Sequence, residues 1–268
     1  MVKLGNLQQL DQAGVPVLIN PAWVEYPWLV HGFSTRRGGV SQGAYAALNL
    51  GAHVGDAAAA VEENRRRWLA ALRAADLQPV FMEQVHGNTV RIVRQAGQLP
   101  ACDGVITPAA GLLLNVLVAD CLPILMCDPR TRTVAAVHAG WRGTMAGIAP
   151  RAAQMMVDEL GVRWSDLQVT LGPGIGGCCY RVDEPVIAGV RQLPVKLEQV
   201  VVPCAEPGQW LLDLAALNRH LLQGAGVPAE NILSSGLCTL EGAAEFYSHR
   251  RDAGKTGRLV ASIGVSLG

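Results

Sequence analysis

The chain has 268 residues, of which 50% are hydrophobic and 16% are charged, so it can bury one large core. Lys and Arg together number 22, as do Asp and Glu, which gives a formal net charge of zero. This balance argues against a broad basic surface for nucleic acid or for an anionic membrane. It leaves room for a small local anion site.

The sequence lacks the pattern of a targeting peptide or a membrane span. The stretch MVKLGNLQQLDQAG at the N-terminus has a single Lys and no apolar run of signal-peptide length. The longest apolar run, 112–127, is interrupted by Asn115, Asp120 and Pro123 and falls short of the ~18 apolar residues that a membrane helix needs. The seven cysteines are an odd number in a chain too large to need disulfides. We therefore expect a cytoplasmic protein with free thiols.

Apolar periodicity predicts both helices and strands. In chain order these are a helix from 57 to about 74, strands at 88–94, 112–119, 123–127 and 133–138, a helix at 144–160, a strand at 166–171, a helix at 212–224 and a strand at 258–266. Asp56 is placed to cap the first helix and Gly224 to end the third. Two strands are continuously apolar, as expected of strands covered on both faces. Helices and strands do not alternate regularly, so we predict a single mixed α/β domain over 1–268 rather than a doubly wound sheet or an eightfold barrel.

Polar side chains stand at the ends of these apolar strands. Asp120 and Cys121 follow one strand, His138 ends another, and His86 precedes a third. Strand ends that lead into loops are where open α/β proteins place their chemistry. We therefore expect His86, Cys121 and His138 to converge on one site. Two hydrogen-bonded structural histidines and a buried thiol are the alternative interpretation.

The chemistry of this residue set indicates a metal. Two imidazoles and one thiolate suit Zn²⁺ with a fourth position left for water, which is the arrangement of catalytic zinc sites. Zinc ligands lie ~2.0–2.3 Å from the ion, so the three side chains must lie within about 5 Å of one another. The same His₂Cys set resembles a blue-copper site, which makes Cu²⁺ the alternative ion.

Two neighbouring assignments stay open at this point. Asp120, next to Cys121, can orient a ligand or carry a proton, or it can simply stabilise a turn. Cys121 can instead be a thiol nucleophile paired with His138 or His86. The presence of two histidines favours the metal, because a nucleophile needs only one.

A glycine-rich segment, a cysteine pair and two arginine pairs are the other motifs that could take part in binding. The segment GPGIGG at 172–177 matches G-x-G-x-x-G, but Pro173 removes an amide donor and no helix is predicted to open on it. A tight active-site loop is therefore expected rather than a dinucleotide site. The adjacent cysteine pair 178–179 is interpreted as structural rather than redox-active. The arginine pairs at 36–37 and 250–251 suit phosphate or carboxylate, with a solvated surface as the alternative.

Nine segments carry a family likeness, namely STRRGGVS (34–41), ALNLG (47–51), VEENRRR (61–67), EQVHGN (83–88), DGVIT (103–107), VADCLPIL (118–125), AVHAGWRG (136–143), LGPGIG (171–176) and FYSHRRD (246–252). By these segments the chain resembles the bacterial laccase-domain family, also called multicopper-polyphenol-oxidase-like or peptidoglycan-editing-factor-like. Members of this family are regarded as purine nucleoside phosphorylases. The likeness spans about residues 30–265.

The resemblance implies a fold, an activity and a set of residues. The implied fold is a single α/β domain of layered mixed β-sheets flanked by helices. The implied reaction cleaves adenosine, inosine or S-methyl-5′-thioadenosine with phosphate to the base and a ribose 1-phosphate, with adenosine deamination as a second activity. The implied metal ligands are His86, Cys121 and His138, the implied catalytic residues are Asp120, Cys121 and His138, and the implied substrate contacts are Arg36, Asn49 and Arg250. One position departs from the family pattern, because His249 stands where Tyr is expected.

Histidine content tests the name of this family. The chain has six His in all, and no two lie within two positions of each other, so a trinuclear copper cluster cannot be assembled from it. Copper-dependent polyphenol oxidation would then be a mononuclear side reaction.

Two more functions are compatible with the same residues. One is a cysteine hydrolase or amidase that edits peptidoglycan precursors, with Cys121 as its nucleophile. The second is a non-catalytic metal-binding protein with a partner surface around Trp23, Tyr26 and Trp28. Whichever function holds, we expect a monomer or a homodimer.

Overall fold

Two β-sheets stack face to face in the computed structural model, which describes residues 2–267. The eight-stranded sheet contains, in spatial order, β1 (Val2–Leu4), β2 (Leu7–Gln12), β3 (Val15–Ile19), β4 (Leu29–Ser34), β17 (Leu259–Val265), β9 (Leu112–Val118), β5 (Gln78–Met82) and β7 (Gly97–Leu99). The six-stranded sheet contains β16 (Ile232–Ser234), β12 (Gln168–Leu171), β10 (Leu122–Asp128), β11 (Thr133–Ala139), β8 (Gly104–Thr107) and β6 (Val90–Ile92). A small third sheet contains β13 (Arg181–Asp183), β15 (Gln209–Leu212) and β14 (Val201–Pro203).

Helices cover the outer faces of the two large sheets. The α-helices are α1 (Ala58–Ala71), α2 (Trp141–Met145), α3 (Ile148–Leu160), α4 (Glu184–Val190) and α5 (Leu214–Ala225). Short 3₁₀ turns lie at Pro21–Glu25, Gly43–Tyr45, Trp164–Asp166, Leu197–Gln199 and Ala229–Asn231. Among residues 2–267, no helix is long and apolar enough to cross a bilayer.

Three buried clusters define the layers. Trp68 and Leu72, at the end of α1, pack on the outer face of the eight-stranded sheet. A second cluster fills the space between the two large sheets. The third lies between the six-stranded sheet and helices α2 to α5, which also carry the small sheet. The predicted mixed α/β fold with layered sheets and flanking helices is therefore confirmed.

The central strands show why some apolar runs are continuous. Along β11, Val134 and Ala136 face the opposite sheet, whereas Ala135 and Val137 face the helices. Every residue of β9, β10 and β11 is buried, because both faces of each strand are covered. Continuous apolar sequence is the expected pattern for such strands.

The six predicted strands correspond to β6, β9, β10, β11, β12 and β17. Several others, such as β2 (LQQLDQ), could not be read from apolar pattern because they are short or half-exposed near sheet edges. The predicted helix at 144–160 is interrupted in the structure. Gly147 adopts the left-handed conformation (φ +73°), which ends α2 before it and lets α3 begin after it. The third predicted helix ends at Gly226 rather than Gly224.

The predicted helix cap at Asp56 is wrong. Ala57 occupies the N-cap position of α1 and makes no side-chain cap hydrogen bond. The Asp56 carboxylate is held elsewhere, since its Oδ2 accepts from Ser41 Oγ at 2.6 Å and from Asn49 Nδ2 at 2.9 Å. Tertiary hydrogen bonds thus compete successfully with a local cap.

A buried histidine lies on β4, beside an aromatic ring. His31 is 7% exposed, its ring meets that of Trp23 edge-on at 5.1 Å, and its Nε2 accepts a hydrogen bond from the Asn20 amide at 3.1 Å. Burial lowers the pKa of His31 to about 4. Trp23 itself is buried in the core, so it is not available to a partner surface.

We expect acid to destabilise the fold through His31. Between pH about 6.5 and about 4, the unfolded chain binds a proton at this position and the folded chain does not, so the free energy of unfolding falls as pH falls, by about 3 kcal/mol in total. Urea unfolding at pH about 7 and at pH about 4 measures this loss, which should be smaller by that amount in His31→Gln. The half-buried His220→Gln is the matched control. Equal pH dependence in both variants and the wild type would contradict the assignment.

Candidate metal centre

The register of the six-stranded sheet gathers the polar residues at one edge. Strands β10 and β8 pair antiparallel with β11 on its two sides. Cys121 directly precedes β10 and Asp103 directly precedes β8, while His138 is the second-last residue of β11. Cys121 and Asp103 therefore flank His138. The convergence expected from strand ends follows from this register.

His86 reaches the same place from the loop before β6. Its backbone is in the left-handed region, with φ +61°. The loop is folded around the Asp103 carboxylate, which accepts hydrogen bonds from the amides of Val85 (3.2 Å), His86 (2.9 Å) and Gly87 (2.7 Å). A strained backbone at a functional position persists only where its surroundings fix it, and here three amide bonds do so.

The three side chains of the expected metal site lie together. One ligand atom each from His86, Cys121 and His138 falls within 4.8 Å of the others. The two imidazole rings are 4.8 Å apart between centroids and meet at 78°. His138 is buried, Cys121 half-buried and His86 exposed, so the cluster opens toward solvent on the His86 side.

A hydrogen bond to Asp103 fixes the orientation of His138. The two groups are 2.8 Å apart between His138 Nδ1 and Asp103 Oδ1. An ionised carboxylate only accepts, so Nδ1 carries a proton and Nε2 is the ring nitrogen left to face the cluster, where it can bind a metal once it is deprotonated. Sequence reasoning missed Asp103 as a functional residue, although it begins the DGVIT segment. The signal available was an aspartate directly before the short run Gly-Val-Ile-Thr, which forms β8.

The cluster is electrostatically coupled. Burial acts to raise the pKa of Cys121, but the charge of His138 and hydrogen bonds from both histidines outweigh it and lower that pKa to about 6. Burial acts to lower the pKa of His138, whereas the Cys121 charge and the Asp103 hydrogen bond raise it to about 9. Without a metal, the pair is therefore a thiolate and an imidazolium at neutral pH.

The cluster has the donors and the space for a metal ion. A Cβ atom at Gly140 would lie 3.1 Å from Cys121 Sγ and 3.2 Å from His86 Cδ2, so a side chain at this position would crowd the donor atoms. Two imidazole nitrogens and a low-pKa thiol form a set that Zn²⁺ and Cu²⁺ both accept. The residues present thus fit a mononuclear centre.

Asp120 lies beside the cluster with its backbone in the left-handed region at φ +87°. Its Oδ1 accepts from Thr239 Oγ1 at 2.6 Å, its Oδ2 accepts from the Arg250 amide at 2.7 Å, and its carbonyl accepts from the Ile175 amide at 2.8 Å. Asp120 thereby joins three loops around the site. A catalytic role for this carboxylate stays a prediction.

A cavity of about 710 Å³ opens onto the cluster and is large enough for a small-molecule ligand. Its wall includes the aromatic rings of Phe81 and Tyr180 and the guanidinium groups of Arg65, Arg250 and Arg258. Among the described residues, none of these three arginines forms an ion pair with a carboxylate. Unpaired arginines in a concave wall indicate an anion site.

Of the three expected substrate contacts, only Arg250 lines the cavity. His249, which replaces the Tyr expected from the family pattern, also lines it. Arg36 and Asn49 do not line it. Arg36 donates to the Ala46 and Ala243 carbonyls, whereas Asn49 is fully buried in hydrogen bonds. Their part in substrate binding stays a prediction.

Sequence reasoning missed two of the cavity arginines. Arg65 lies on α1, where it looks like an ordinary polar face of an amphipathic helix, and Arg258 precedes β17. The VEENRRR segment was the available signal for Arg65. The loop at 172–177 does lie at the site, since Ile175 lines the cavity. The loop expected there thus lies beside the cavity, and its part in an active site stays a prediction.

A mixed α/β fold that presents a His-Cys-His donor set in an arginine-lined cavity defines a protein with a candidate mononuclear metal centre. The chain belongs to the family described as multi-copper polyphenol oxidoreductase laccase, whose model matches residues 30–266. The family resemblance drawn from the motifs is thus confirmed.

Relatives along nearly the whole chain have a more specific name. A Bacillus subtilis protein named purine nucleoside phosphorylase YlmD is 40% identical over 248 residues, which are 88% of each chain. A Deinococcus radiodurans protein named purine nucleoside phosphorylase is 41% identical over 260 residues, 94% of each chain. The crystal structure of YlmD from Geobacillus stearothermophilus superposes with a TM-score of 0.91 at 38% identity, covering 98% of this chain and 99% of that one.

We expect Cys121 to be the most acidic reactive thiol of the metal-free protein. Its alkylation by iodoacetamide should reach half its maximal rate near pH 6, because the His138 charge stabilises the thiolate. His138→Ala should move that midpoint upward toward ~8.5, the pKa of an ordinary thiol. Peptide mapping by mass spectrometry measures the rates, with Cys127, whose burial raises its pKa, as the internal control. An unchanged midpoint in His138→Ala would contradict the coupling.

Proposed function

We propose that this protein is a zinc-dependent purine nucleoside phosphorylase, which cleaves adenosine, inosine and S-methyl-5′-thioadenosine with phosphate to the free base and a ribose 1-phosphate. The observation that carries the proposal is the cavity itself, which joins a His-Cys-His donor set to three unpaired arginines and two aromatic rings. The names of the relatives support the same reaction class.

His86, Cys121 and His138 would hold the zinc, with the His138 ring oriented by Asp103. When bound there with an open position, zinc supplies Lewis-acid polarisation of a substrate oxygen. The half-buried thiol and the buried imidazole keep the donor set on the sheet, while the exposed His86 ring closes it from the cavity side. The fit of the donors supports zinc as the ion, with copper as the alternative.

The arginines supply a seat for phosphate. Arg65, Arg250 and Arg258 each place a permanent positive charge in the cavity wall. His53 lines the same cavity. Its pKa is lowered, mainly by burial and also by the nearby positive charges of Arg258 and Arg65. Guanidinium groups form charge-assisted, often bidentate hydrogen bonds with phosphate oxygens, so these side chains are suited to bind phosphate.

The nucleoside fits the remaining wall. In phosphorolysis a phosphate oxygen attacks C1′ of the ribose, and the bond from C1′ to N9 of the purine breaks with its electron pair leaving on the base. Phe81 and Tyr180 offer apolar rings for the base. Burial raises the pKa of Tyr180 to about 12, so its hydroxyl keeps its proton at neutral pH and can donate a hydrogen bond to the leaving base.

Adenosine deamination belongs to the proposal as a second activity. It rests on the family resemblance and on a donor set suited to zinc. The H-x-E…P-C-x-x-C signature of the known zinc deaminases is absent from this chain, so the reaction would use a different protein frame. Inosine formed from adenosine without phosphate measures this activity separately.

One arrangement favours a second candidate function. Cys121, His138 and Asp103 have the order of a nucleophile, a base and an orienting carboxylate, and the Cys121 pKa is low. A cysteine hydrolase or amidase acting on peptidoglycan precursors would use these residues without a metal. The two functions are distinguished by what metal removal does to turnover.

We expect phosphate-dependent release of hypoxanthine from inosine by the zinc-loaded protein. Cys121→Ala should lose the metal and at least ~10³-fold of this activity, because it removes the one anionic ligand. Metal analysis and chromatography of the products give both readouts. The matched control is Cys204→Ala, a half-buried cysteine outside the cavity, which should behave as wild type. Phosphate-dependent turnover that persists after rigorous metal removal would overturn the zinc mechanism, whereas metal-independent hydrolysis of peptidoglycan precursors without any phosphorolysis would favour the hydrolase.

We expect Asp103→Asn to weaken metal binding by roughly 10–100-fold, because the carboxylate both orients His138 and strengthens it as a ligand. Competition with a chelator measures the affinity. Asp128→Asn is the control, since Asp128 is equally buried at the far end of β10 and contacts none of the metal ligands. Equal affinities in the wild type and Asp103→Asn would show that Asp103 does not act on the metal.

A further inference from the structure

Three thiols and one carboxylate converge outside the cavity, where the loop at 174–180 meets the loop at 238–241. These groups belong to Cys178, Cys179, Cys238 and Glu241, and one ligand atom from each falls within 4.8 Å of all the others. The sulfurs of Cys178 and Cys179 are 3.4 Å apart. We call these four residues the cysteine cluster. It shares no residue with the His-Cys-His centre.

Backbone amides surround one sulfur of the cysteine cluster. Cys238 Sγ accepts from the Gly176 amide at 3.3 Å. Burial acts to raise the pKa of this thiol, but the Gly176 amide together with those of Leu240 and Glu241 lowers it. Amide donors favour the thiolate form of a cysteine, which is the form that binds metals. A Cβ atom at residue 176 would lie 3.2 Å from Cys178 Sγ and 3.4 Å from Cys238 Sγ, so glycine keeps the space beside both sulfurs free.

We propose that the cysteine cluster binds a second metal ion, a structural Zn²⁺ held by three thiolates and the Glu241 carboxylate. A tetrahedral zinc with Zn–S distances of ~2.3 Å places its ligand sulfurs ~3.8 Å apart. The sulfurs of Cys178 and Cys179 are close to this separation at 3.4 Å, and all four ligand atoms lie within 4.8 Å of one another. Four protein ligands leave no open position, which is the closed coordination of structural zinc. The inference does not rest on the proposed function.

The two loops that the zinc would join also build the cavity wall. Gly174 pairs with Cys238 as an isolated parallel bridge, and the Thr239 amide donates to the Gly174 carbonyl at 2.9 Å. Thr239 Oγ1 donates to Asp120, and Tyr180 lines the cavity. A zinc at the cysteine cluster would therefore hold the loops that position Asp120 and Tyr180. Its role would be to keep the cavity in one shape.

The loop that carries Cys238 and Glu241 is held in place by an ion pair. The Arg251 guanidinium donates to the Thr239 carbonyl at 2.9 Å and to the Leu240 carbonyl at 3.3 Å, and it is itself paired with the Asp252 carboxylate. Arg251 therefore orders the backbone between two of the proposed ligands.

The test uses Cys121→Ser as the background, because this change removes the only thiol of the His-Cys-His centre. The reduced, metal-depleted protein is titrated with Co²⁺ and with Zn²⁺. We expect a cobalt–thiolate charge-transfer absorption in Cys121→Ser that disappears when Cys178→Ser is added. In the otherwise native chain, we expect Cys178→Ser and Cys238→Ser each to bind one Zn²⁺ fewer per chain than the wild type. Cys204→Ser is the matched control and should bind as many as the wild type.

Cys178 is exposed, so its serine variant tests the site even where Cys238→Ser fails to fold. Zn²⁺ should also raise the Tm of Cys121→Ser but not of the Cys121→Ser, Cys178→Ser double variant, since a bound ion stabilises the folded state. Two results would overturn the proposal. One is the absence of thiolate–cobalt absorption in Cys121→Ser. The other is a cluster that stays metal-free and forms a disulfide, detected as a loss of 2 Da by mass spectrometry.

Discussion

The site depends on one buried carboxylate. Asp103 is fully buried, and it accepts the Nδ1 proton of His138 as well as three successive amides of the loop that carries His86. These bonds fix the tautomer of one candidate ligand and the backbone of another. Although burial acts to raise the pKa of Asp103, the hydrogen bonds from His138 and the loop amides lower it, so the group stays ionised. The remaining ligand, Cys121, owes its low pKa to the His138 ring that Asp103 orients.

The sequence allowed the central strands and the three candidate ligands to be predicted, because strands covered on both faces are continuously apolar and polar residues at their ends stand out. Asp103 could not be found in this way, since its partner His138 lies 35 residues along the chain and only strand register joins them. Arg65 could not be found either, because a helix face that lines a cavity looks like a solvated one. The cap at Asp56 failed because its tertiary partners, Ser41 and Asn49, are invisible to local pattern.

The family name and the chemistry of the chain point in different directions. Multicopper oxidation needs several copper ions. Of the six histidines of this chain, two lie in the His-Cys-His cluster, and the other group of potential metal ligands among the described residues contains no histidine. Two of the positions implied by family resemblance contact neighbouring residues and do not line the cavity. Asn49 Oδ1 accepts from the Arg258 amide at 2.8 Å, and Arg36 stacks over Tyr247 at 4.7 Å. The motif residues therefore include parts of the wall as well as parts of the centre.

The cavity lies across the seam between two sheets. Its candidate metal ligands come from the six-stranded sheet and its loops, whereas Phe81 and Arg258 belong to or adjoin strands of the eight-stranded sheet. The side chains packed between the sheets thus set the distance between the candidate metal ligands and the side chains of Phe81 and Arg258. A protein interior is close-packed and resists small changes of volume. Evolution can therefore retune the range of molecules that this cavity accepts by resizing core residues that never touch a ligand.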